Sequence, residues 1–330
     1  MPAIAAENLS KVFRVAQKDP GVVGAVKALF RPHYTQKVAV DGVSFTVEPG
    51  EMVGYIGVNG AGKSTTIKML TGILAPSAGS VRVLGRDPQR ERVANARQIG
   101  VVFGQRTQLW RDLALIESLN MISKIYEVPP ARYKALLEEF AGILELDELL
   151  NVPIRQMSLG QKMRAELAAT LIHEPQVVYL DEPTIGLDLL VKERIREFIH
   201  QQNEQKGITV ILTTHDLGDI EELCERVIII DDGKLIYDGP LAVIKERFGK
   251  FREIRFETIS SLDGLNLPPG AELLQKEARA LVLRFDRTQT SASKVAAAVM
   301  SQVEVADFSL SEPDLAMVVR QIYHGALREG

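Results

Sequence analysis

The segment GVNGAGKS, residues 57–64, limits the possible folds of this chain more than any other, because it fits the pattern G-x-x-x-x-G-K-[ST]. The apolar run before it, residues 52–56, predicts a buried strand, and residues 65–70 predict the start of a helix. In such a loop the glycines let backbone N–H groups close around phosphate oxygens, while the lysine reaches the outer phosphates. The helix N-terminus also favours the phosphate charge. The candidate nucleotide-binding residues here are Gly57, Asn59, Gly60, Ala61, Gly62, Lys63, Ser64 and Thr65, with Ser64 also placed to bind Mg²⁺.

A second apolar run, residues 177–180, ends in the adjacent carboxylates Asp181 and Glu182, followed by Pro183. Ligands bind at the carboxyl ends of the strands in open parallel α/β sheets. Asp181 suits the Mg²⁺ shell, and Glu182 suits the attacking water, because one carboxylate is held by the cation while the other accepts a hydrogen bond from water. A solvated acidic turn is the alternative; the preceding strand and Pro183 favour the site.

A third motif, residues 157–161, completes a resemblance to the nucleotide-binding subunits of ATP-binding cassette (ABC) transporters that covers about residues 2–245. Ser158, Gly160 and Gln161 match the signature loop of that family, usually written LSGGQ, with Leu159 in place of its first glycine. The resemblance implies that the loop contacts the γ-phosphate bound by a second subunit. The start of the helix that follows suits this contact.

The resemblance assigns roles to four more residues. Gln105 stands at the position of the Q-loop glutamine, which contacts Mg²⁺ and the water and responds to the membrane partner. Asp188 stands in the D-loop, and His215, closing the predicted strand 210–214, stands at the switch histidine. Tyr34 lies about where the family places the aromatic ring that stacks on adenine. Phe13 and Tyr55 are alternatives to Tyr34 for this last role.

The implied fold class is α/β: a P-loop NTPase core of the ABC ATPase type, with a parallel sheet, an antiparallel flap and a helical subdomain. We expect this nucleotide-binding domain over residues 1–248, with an insertion at about 16–37 and the helical subdomain at about 106–165. Residues 43–47 and 80–84 predict strands of the flap.

Residues 249–330 predict a small accessory α/β domain. Its expected strands are residues 253–257, 280–286 and 304–310, and its expected helices are residues 291–301 and 314–323. The domain resembles the C-terminal extensions of ATPase subunits that serve drug and antibiotic exporters. The sequence shows no ligand motif in it.

Composition and charge limit the kinds of partner and the cellular location that we expect for this chain. With 46% apolar residues the chain has enough material for a packed interior, and its net charge of −4 gives no general attraction to nucleic acid. No apolar run approaches the roughly 18 residues that a membrane helix needs, and the N-terminus lacks the plan of a signal peptide. We therefore expect a cytoplasmic protein, held at the inner face of the membrane by its permease. The single cysteine, Cys224, excludes an intrachain disulfide.

The expected function is that of an ATPase subunit that energises a permease on a separate chain, for export of drugs or other amphipathic compounds. The expected cofactors are ATP and Mg²⁺, and the expected second ATPase is another copy of this chain or a related subunit. Two alternatives are a cassette ATPase that acts on ribosomes or DNA and a nucleotide-regulated scaffold without turnover. The scaffold is disfavoured because both Glu182 and His215 are present.

Trp110, the one tryptophan, follows Gln105 closely and admits two interpretations. As an anchor for a cytoplasmic helix of the permease, its truncation in Trp110→Ala should cost about 2 kcal/mol of permease affinity and leave basal ATP hydrolysis nearly unchanged. As a packing residue between subdomains, the same change should lower the melting temperature and the basal activity before any partner is added. Permease pull-down, melting temperature and basal ATPase of one variant separate the two. A stable variant with normal permease binding would contradict both.

Overall fold

The computed structural model of this chain describes residues 1–17, 33–104, 106–248, 251–259, 262, 264–311, 315 and 319. The chain divides into two compact units, Met1–Asp238 and Gly239–Gly330. This division lies ten residues before the boundary that the sequence predicts after residue 248. The predicted insertion at 16–37 has its residues 18–32 outside the described part, while both described flanks belong to strands.

The first unit combines nine strands and seven α-helices among its described residues. The strands are β1 (Ile4–Gln17), β2 (His33–Val47), β3 (Met52–Gly57), β4 (Ala78–Val83), β5 (Ile99–Phe103), β6 (Val177–Asp181), β7 (Thr209–Thr213), β8 (Arg226–Asp231) and β9 (Lys234–Pro240). The helices are α1 (Lys63–Leu70), α2 (Arg92–Ala96), α3 (Leu115–Ile125), α4 (Pro130–Ile143), α5 (Leu159–Leu171), α6 (Leu189–Lys206) and α7 (Leu217–Leu223). Short 3₁₀ turns cover Asp147–Leu149 and Ile154–Gln156.

The central sheet has the strand order β5-β6-β7-β3-β8-β9. Each neighbouring pair from β5 to β8 is parallel. These strands are short apolar runs rich in valine and isoleucine and are buried along most of their length, as expected for parallel strands covered on both faces. The order places β7 between β6 and β3, so the carboxyl ends of these three strands lie side by side.

A second sheet of three antiparallel strands, in the order β2-β1-β4, forms the predicted flap. Strand β2 is longer than the prediction of residues 43–47, because it also pairs with the far half of β1. Shifts in register interrupt the β1 and β2 pairing up to Val12, and from Val12 to Gln17 the register is continuous. The two sheets share one hydrophobic core, in which the ring of Phe45 lies 5.8 Å from that of Tyr55.

Helix ends in the first unit follow local sequence signals. Ser158 caps α5 and Asp188 caps α6, each by accepting a hydrogen bond from the backbone N–H three residues on. Gly207 ends α6 in the left-handed conformation, with φ of 65°. Phe140 of α4 packs edge to face on Phe198 of α6, with the ring centroids 5.3 Å apart.

The second unit contains a four-stranded antiparallel sheet in the order β11-β12-β10-β13. Its elements are α8 (Leu241–Phe248), β10 (Phe251–Thr258), β11 (Ala271–Lys276), β12 (Ala280–Asp286), α9 (Ala292–Met300) and β13 (Val305–Ser311). The sequence predicts β10, β12, β13 and α9 but misses β11. Of the predicted helix at 314–323, residues 315 and 319 are described, and the rest lies outside the described residues. Across the described part of the chain, no helix has the length and apolar character that a bilayer crossing requires.

Candidate active site

The loop between β3 and α1 folds tightly against the backbone of β2. Gly60 and Gly62 both have positive φ, 88° and 109°. A Cβ added at Gly62 would lie 2.4 Å from the carbonyl oxygen of Ala39, so this position admits only glycine without a shift of the backbone. On the other side of the loop, the Ala61 carbonyl accepts a hydrogen bond of 3.1 Å from the N–H of Gly233. The loop is therefore held by contacts with the backbone on both of its sides.

Lys63, the first residue of α1, is buried with its charge directed into this loop. Its Nζ donates to the carbonyl oxygens of Gly57, at 2.5 Å, and Val58, at 3.3 Å. Burial lowers the pKa of Lys63, and the nearby carboxylates of Glu182 and Asp181 oppose that shift. The buried ammonium donates to two carbonyl oxygens, and the two carboxylates only partly offset the cost of its burial. Such a cation is well suited to bind a phosphate anion.

The N-terminus of α1 adds further donors. Gly62 caps this helix and supplies no side-chain hydrogen bond to it. The first backbone N–H groups of a helix have no intrahelical acceptor, and together with the helix dipole they favour an anion. The loop thus has the geometry that its sequence pattern predicts for a phosphate site.

The adjacent carboxylates lie at the ends of β6 and β7. Asp181 ends β6 beside Thr213, the last residue of β7, and accepts a hydrogen bond of 2.5 Å from the Thr213 hydroxyl. The backbone N–H of Glu182 donates to the Thr213 carbonyl at 2.8 Å, and Glu182 has the left-handed φ of 59°. Non-glycine residues with such φ values are uncommon and cluster at functional sites.

Glu182 and His215 form a direct pair. The distance from His215 Nε2 to Glu182 Oε1 is 2.7 Å. Both side chains keep some solvent exposure, 43% for the histidine and 21% for the glutamate. A carboxylate in contact with an imidazole at the mouth of a phosphate site can accept a hydrogen bond from water and orient it.

Two cavities lie beside the phosphate loop, and Ser64 and Glu182 line both of them. One, of about 270 Å³, is lined by loop residues 58–60 and 62–65 together with Phe13, Lys37, Ala39 and Glu182. The other, of about 340 Å³, is lined by Ser64, Lys68, Ile73, Phe103, Gly104, Arg106, Asp181, Glu182 and Ile185. With the contact between Glu182 and His215, the structure therefore brings Lys63, Ser64, Asp181, Glu182 and His215 into one region from three separate parts of the sequence.

The lining of the first cavity bears on the choice between Tyr34 and Phe13 as the predicted adenine-stacking ring. Phe13 and Lys37 pair directly across β1 and β2 and both line the cavity. Tyr34 pairs with Ala16, three positions further along the same continuous register. Because side chains alternate between the two faces of a strand, Tyr34 points to the opposite face from Phe13. Tyr34 is also 58% exposed. The assignment of Tyr34 stays a prediction, and the cavity lining favours the alternative, Phe13.

The predicted signature and D-loop residues form a second, separate group. The Ser158 side chain accepts from the N–H of Gln161, whose side chain accepts from the N–H of Ser158 in return. A Cβ added at Gly186 would lie 3.2 Å from Leu159, so the start of α5 lies against the loop that precedes Asp188. None of Ser158, Gly160, Gln161 and Asp188 lines either cavity described above. Within one chain, these residues are not brought to the phosphate loop.

Gln105 lies outside the described residues, but both of its neighbours are described. The N–H of Gly104 donates to the Asp181 carbonyl at 2.8 Å, and Arg106 forms a backbone bridge with Phe103. Gly104 is thus attached to the end of β6, and Arg106 to the end of β5.

The donor set beside the loop fits Mg²⁺. The hydroxyl of Ser64 and the carboxylate of Asp181 line the same cavity. Oxygen ligands from one or two side chains, completed by substrate phosphates and water, are typical of Mg²⁺ sites. Ser64 and Asp181 are therefore the residues that would hold the cation.

Comparison with known proteins identifies the family. Residues 40–185 match the family model described as "ABC transporter". The chain is 39% identical over 222 residues to the Nod factor export ATP-binding protein I of Paraburkholderia xenovorans, an alignment that covers 66% of this chain and 71% of the relative. The chain belongs to the ABC transporter family.

Further comparisons agree with this assignment. The ABC transporter ATP-binding protein NatA of Bacillus subtilis is 35% identical over 209 residues, which cover 63% of this chain and 84% of that protein. A solved structure described as the ATP-binding subunit of an ABC transporter superposes with a TM-score of 0.63 and 28% identity, over 75% of this chain and 93% of its own.

The chain is therefore an ATP-binding subunit of an ABC transporter, and it hydrolyses ATP. The predicted P-loop NTPase fold is confirmed. A solved ATP-binding cassette described as a dimer bound to ADP and Pi superposes with a TM-score of 0.60 and 24% identity, over 72% of this chain and 98% of its own. The roles of individual residues of this ATPase subunit stay predictions.

The sequence alone favours Tyr34 over Phe13, because Tyr34 has the expected separation from Lys63. The signal that favours Phe13 is strand alternation: residues 11, 13 and 15 share one face of β1, and Lys11 lies 5.4 Å from the ring of Phe13.

We expect Phe13→Ala to weaken ATP binding by about 1–3 kcal/mol, the usual cost of losing one base-stacking ring. The matched variant Tyr34→Ala should bind ATP like the wild type, because its ring lies on the other face of the hairpin. Isothermal titration with ATP measures both, and inorganic triphosphate, which has no base, should bind Phe13→Ala normally. A loss confined to Tyr34→Ala would return the assignment to Tyr34.

Proposed function

We propose that this ATPase subunit binds ATP with Mg²⁺, closes on a second copy or a related subunit, and hydrolyses the nucleotide to power export through a separate permease. The observation that carries the proposal is the 2.7 Å contact between Glu182 and His215 beside a preformed phosphate loop. A scaffold without turnover has no need of this pair.

The proposed chemistry divides among three groups. Lys63 and the N–H groups of the loop and α1 hold the β- and γ-phosphates and meet the charge that develops on them. Glu182 accepts a hydrogen bond from the attacking water and aligns it with the γ-phosphorus. His215 holds the Glu182 carboxylate in place and contacts the γ-phosphate region. Ser64 and Asp181 would hold Mg²⁺, which would neutralise phosphate charge, and Gln105 stays the predicted third contact of the cation.

The separation of the two groups of site residues supports a dimer with composite sites. At the α5 N-terminus, Ser158 is exposed while Gly160 and Gln161 are half-buried, and none of the three lines the cavity at the phosphate loop of the same chain. Facing the γ-phosphate of a partner subunit, the donors of this helix start would meet its charge. The closed dimer then depends on contacts across the interface that form only when ATP is bound. Hydrolysis removes these contacts. Asp188 lies in the loop that would meet the same interface.

Export is the direction that the relatives favour, since one is named as a Nod factor export protein. We infer that drugs or other amphipathic compounds are the cargo class of this transporter and that the permease holds the subunit at the cytoplasmic face of the membrane. Trp110 is 37% exposed, which is compatible with a role in docking the permease. We assign residues 249–330 to an accessory domain without a part in nucleotide chemistry.

Glu182→Gln tests the proposed hydrolysis. The variant should bind ATP and Mg²⁺ like the wild type, while turnover falls by at least roughly 10² because the amide is a poor base. Lys63→Ala should lose ATP binding itself, and Glu138→Gln, which alters an exposed carboxylate of α4, serves as the neutral control. Calorimetric titration and phosphate release separate the three outcomes. Turnover near the wild-type rate in Glu182→Gln would reject Glu182 as the base.

Ser158→Arg tests the composite site. The arginine should block closure on the partner's γ-phosphate and abolish hydrolysis, while ATP still binds to the intact loop. Mixing this variant with Lys63→Ala can rebuild one composite site per dimer, from Ser158 of one chain and Lys63 of the other, so we expect partial recovery of hydrolysis. Normal hydrolysis by Ser158→Arg alone would contradict the assignment of the signature loop.

A further inference from the structure

Asp219 of α7 is a completely buried carboxylate with no place in the proposed nucleotide chemistry. It accepts hydrogen bonds from three side chains. Arg196 Nε donates to Oδ1 at 2.7 Å, the Thr214 hydroxyl donates to Oδ2 at 3.1 Å, and the Thr184 hydroxyl donates to the same Oδ2 in a short hydrogen bond. A buried charge is tolerated only when it is paired and hydrogen-bonded, and Asp219 meets both conditions.

The two threonines connect Asp219 to the backbone beside the proposed catalytic pair. Thr184 is two residues after Glu182, and Thr214 is the residue before His215. Both are buried, at 2% and 4% exposure. The Thr214 hydroxyl also accepts a hydrogen bond of 3.0 Å from the N–H of Asp216. This hydrogen bond links the two residues that flank His215 in the sequence.

Arg196 extends the network to α6, the helix that begins next to Asp188. Its second donor binds Glu222 at 2.7 Å, and that carboxylate is 58% exposed. Lys192, one turn earlier on α6, binds Asp216 at 2.5 Å. Three segments, after β6, after β7 and along α6, therefore meet at one buried carboxylate.

We propose that Asp219 is a positioning residue for ATP hydrolysis, which holds Glu182 and His215 in contact by fixing Thr184 and Thr214 to one another. The left-handed backbone of Glu182 persists only where its surroundings hold it, and this network supplies that restraint. The phosphate loop and Lys63 take no part in the network. Its loss should therefore slow the chemical step and leave ATP binding intact, because small displacements of a positioned group cost rate. The inference rests on the roles proposed for Glu182 and His215.

A pair of variants at each threonine separates the effect of the lost hydrogen bond from the effect of altered packing. Thr184→Val and Thr214→Val keep the shape and remove the hydroxyl, whereas Thr184→Ser and Thr214→Ser keep the hydroxyl and remove a methyl group. In steady-state hydrolysis by the full chain, we expect each valine variant to lower kcat by about 10- to 100-fold, with KM within about twofold of the wild type. Each serine variant should retain most of kcat. Glu222→Gln, which changes the other partner of Arg196, is the matched control and should hydrolyse ATP normally.

Adding Thr184→Val to Asp219→Asn should lower kcat little further, because both changes break one network. Equal losses in the serine and valine variants, wild-type kcat in both valine variants, or a rise in KM that matches the fall in kcat would each overturn the proposal. Either valine variant that keeps the wild-type melting temperature suffices for the test. The Glu182→Gln variant is measured in parallel: if it hydrolyses ATP normally, the proposed function fails, and if it is inactive while the valine variants are normal, only the role of Asp219 fails.

Discussion

The parallel pairing of β6, β7 and β3 is the constraint on which the site depends. Because all three strands run in the same direction, the phosphate loop, the carboxylate pair and the histidine loop leave the sheet at one edge. Hydrogen bonds between strand ends then set the finer spacing: Thr213, the last residue of β7, binds the side chain of Asp181 and the backbone of Glu182. Segments distant in sequence thus reach hydrogen-bonding distance of one another through backbone and side-chain contacts alone.

Charge balance around Lys63 links this edge to its ligand. Burial disfavours the ammonium, while carbonyl oxygens and the carboxylates of Asp181 and Glu182 favour it, and burial is the larger influence on its pKa. The site therefore contains a cation that is solvated less well than it would be in water. In the proposed binding mode, a polyphosphate would supply the negative charge that the surrounding carboxylates supply only in part. This imbalance is a physical source of affinity, separate from the shape of the loop.

Much of this arrangement could be predicted from sequence, because each nucleotide motif joins a strand to a loop and local patterns mark both. The adenine ring could not be chosen that way: Tyr34 has a suitable separation from Lys63, but the face on which a ring lies depends on pairing and pleat, which favour Phe13. The network at Asp219 has no local signal either, because two of its three donors, Arg196 and Thr184, lie 23 and 35 residues away in the sequence, and an acidic residue early in a helix is commonly solvated. Strand β11 was missed because most of its side chains are exposed and show no alternation.

The reciprocal cap at the start of α5 has a consequence for the hydroxyl of Ser158. In that cap the oxygen accepts a hydrogen bond from Gln161, and its own proton takes no part. Serine offers one donor and two acceptor lone pairs. The same atom can therefore keep the helix start in shape and give its hydrogen to an anion outside. An aspartate here would preserve the helix start and repel the anion, so folding and partner recognition are chemically separable at a single oxygen atom.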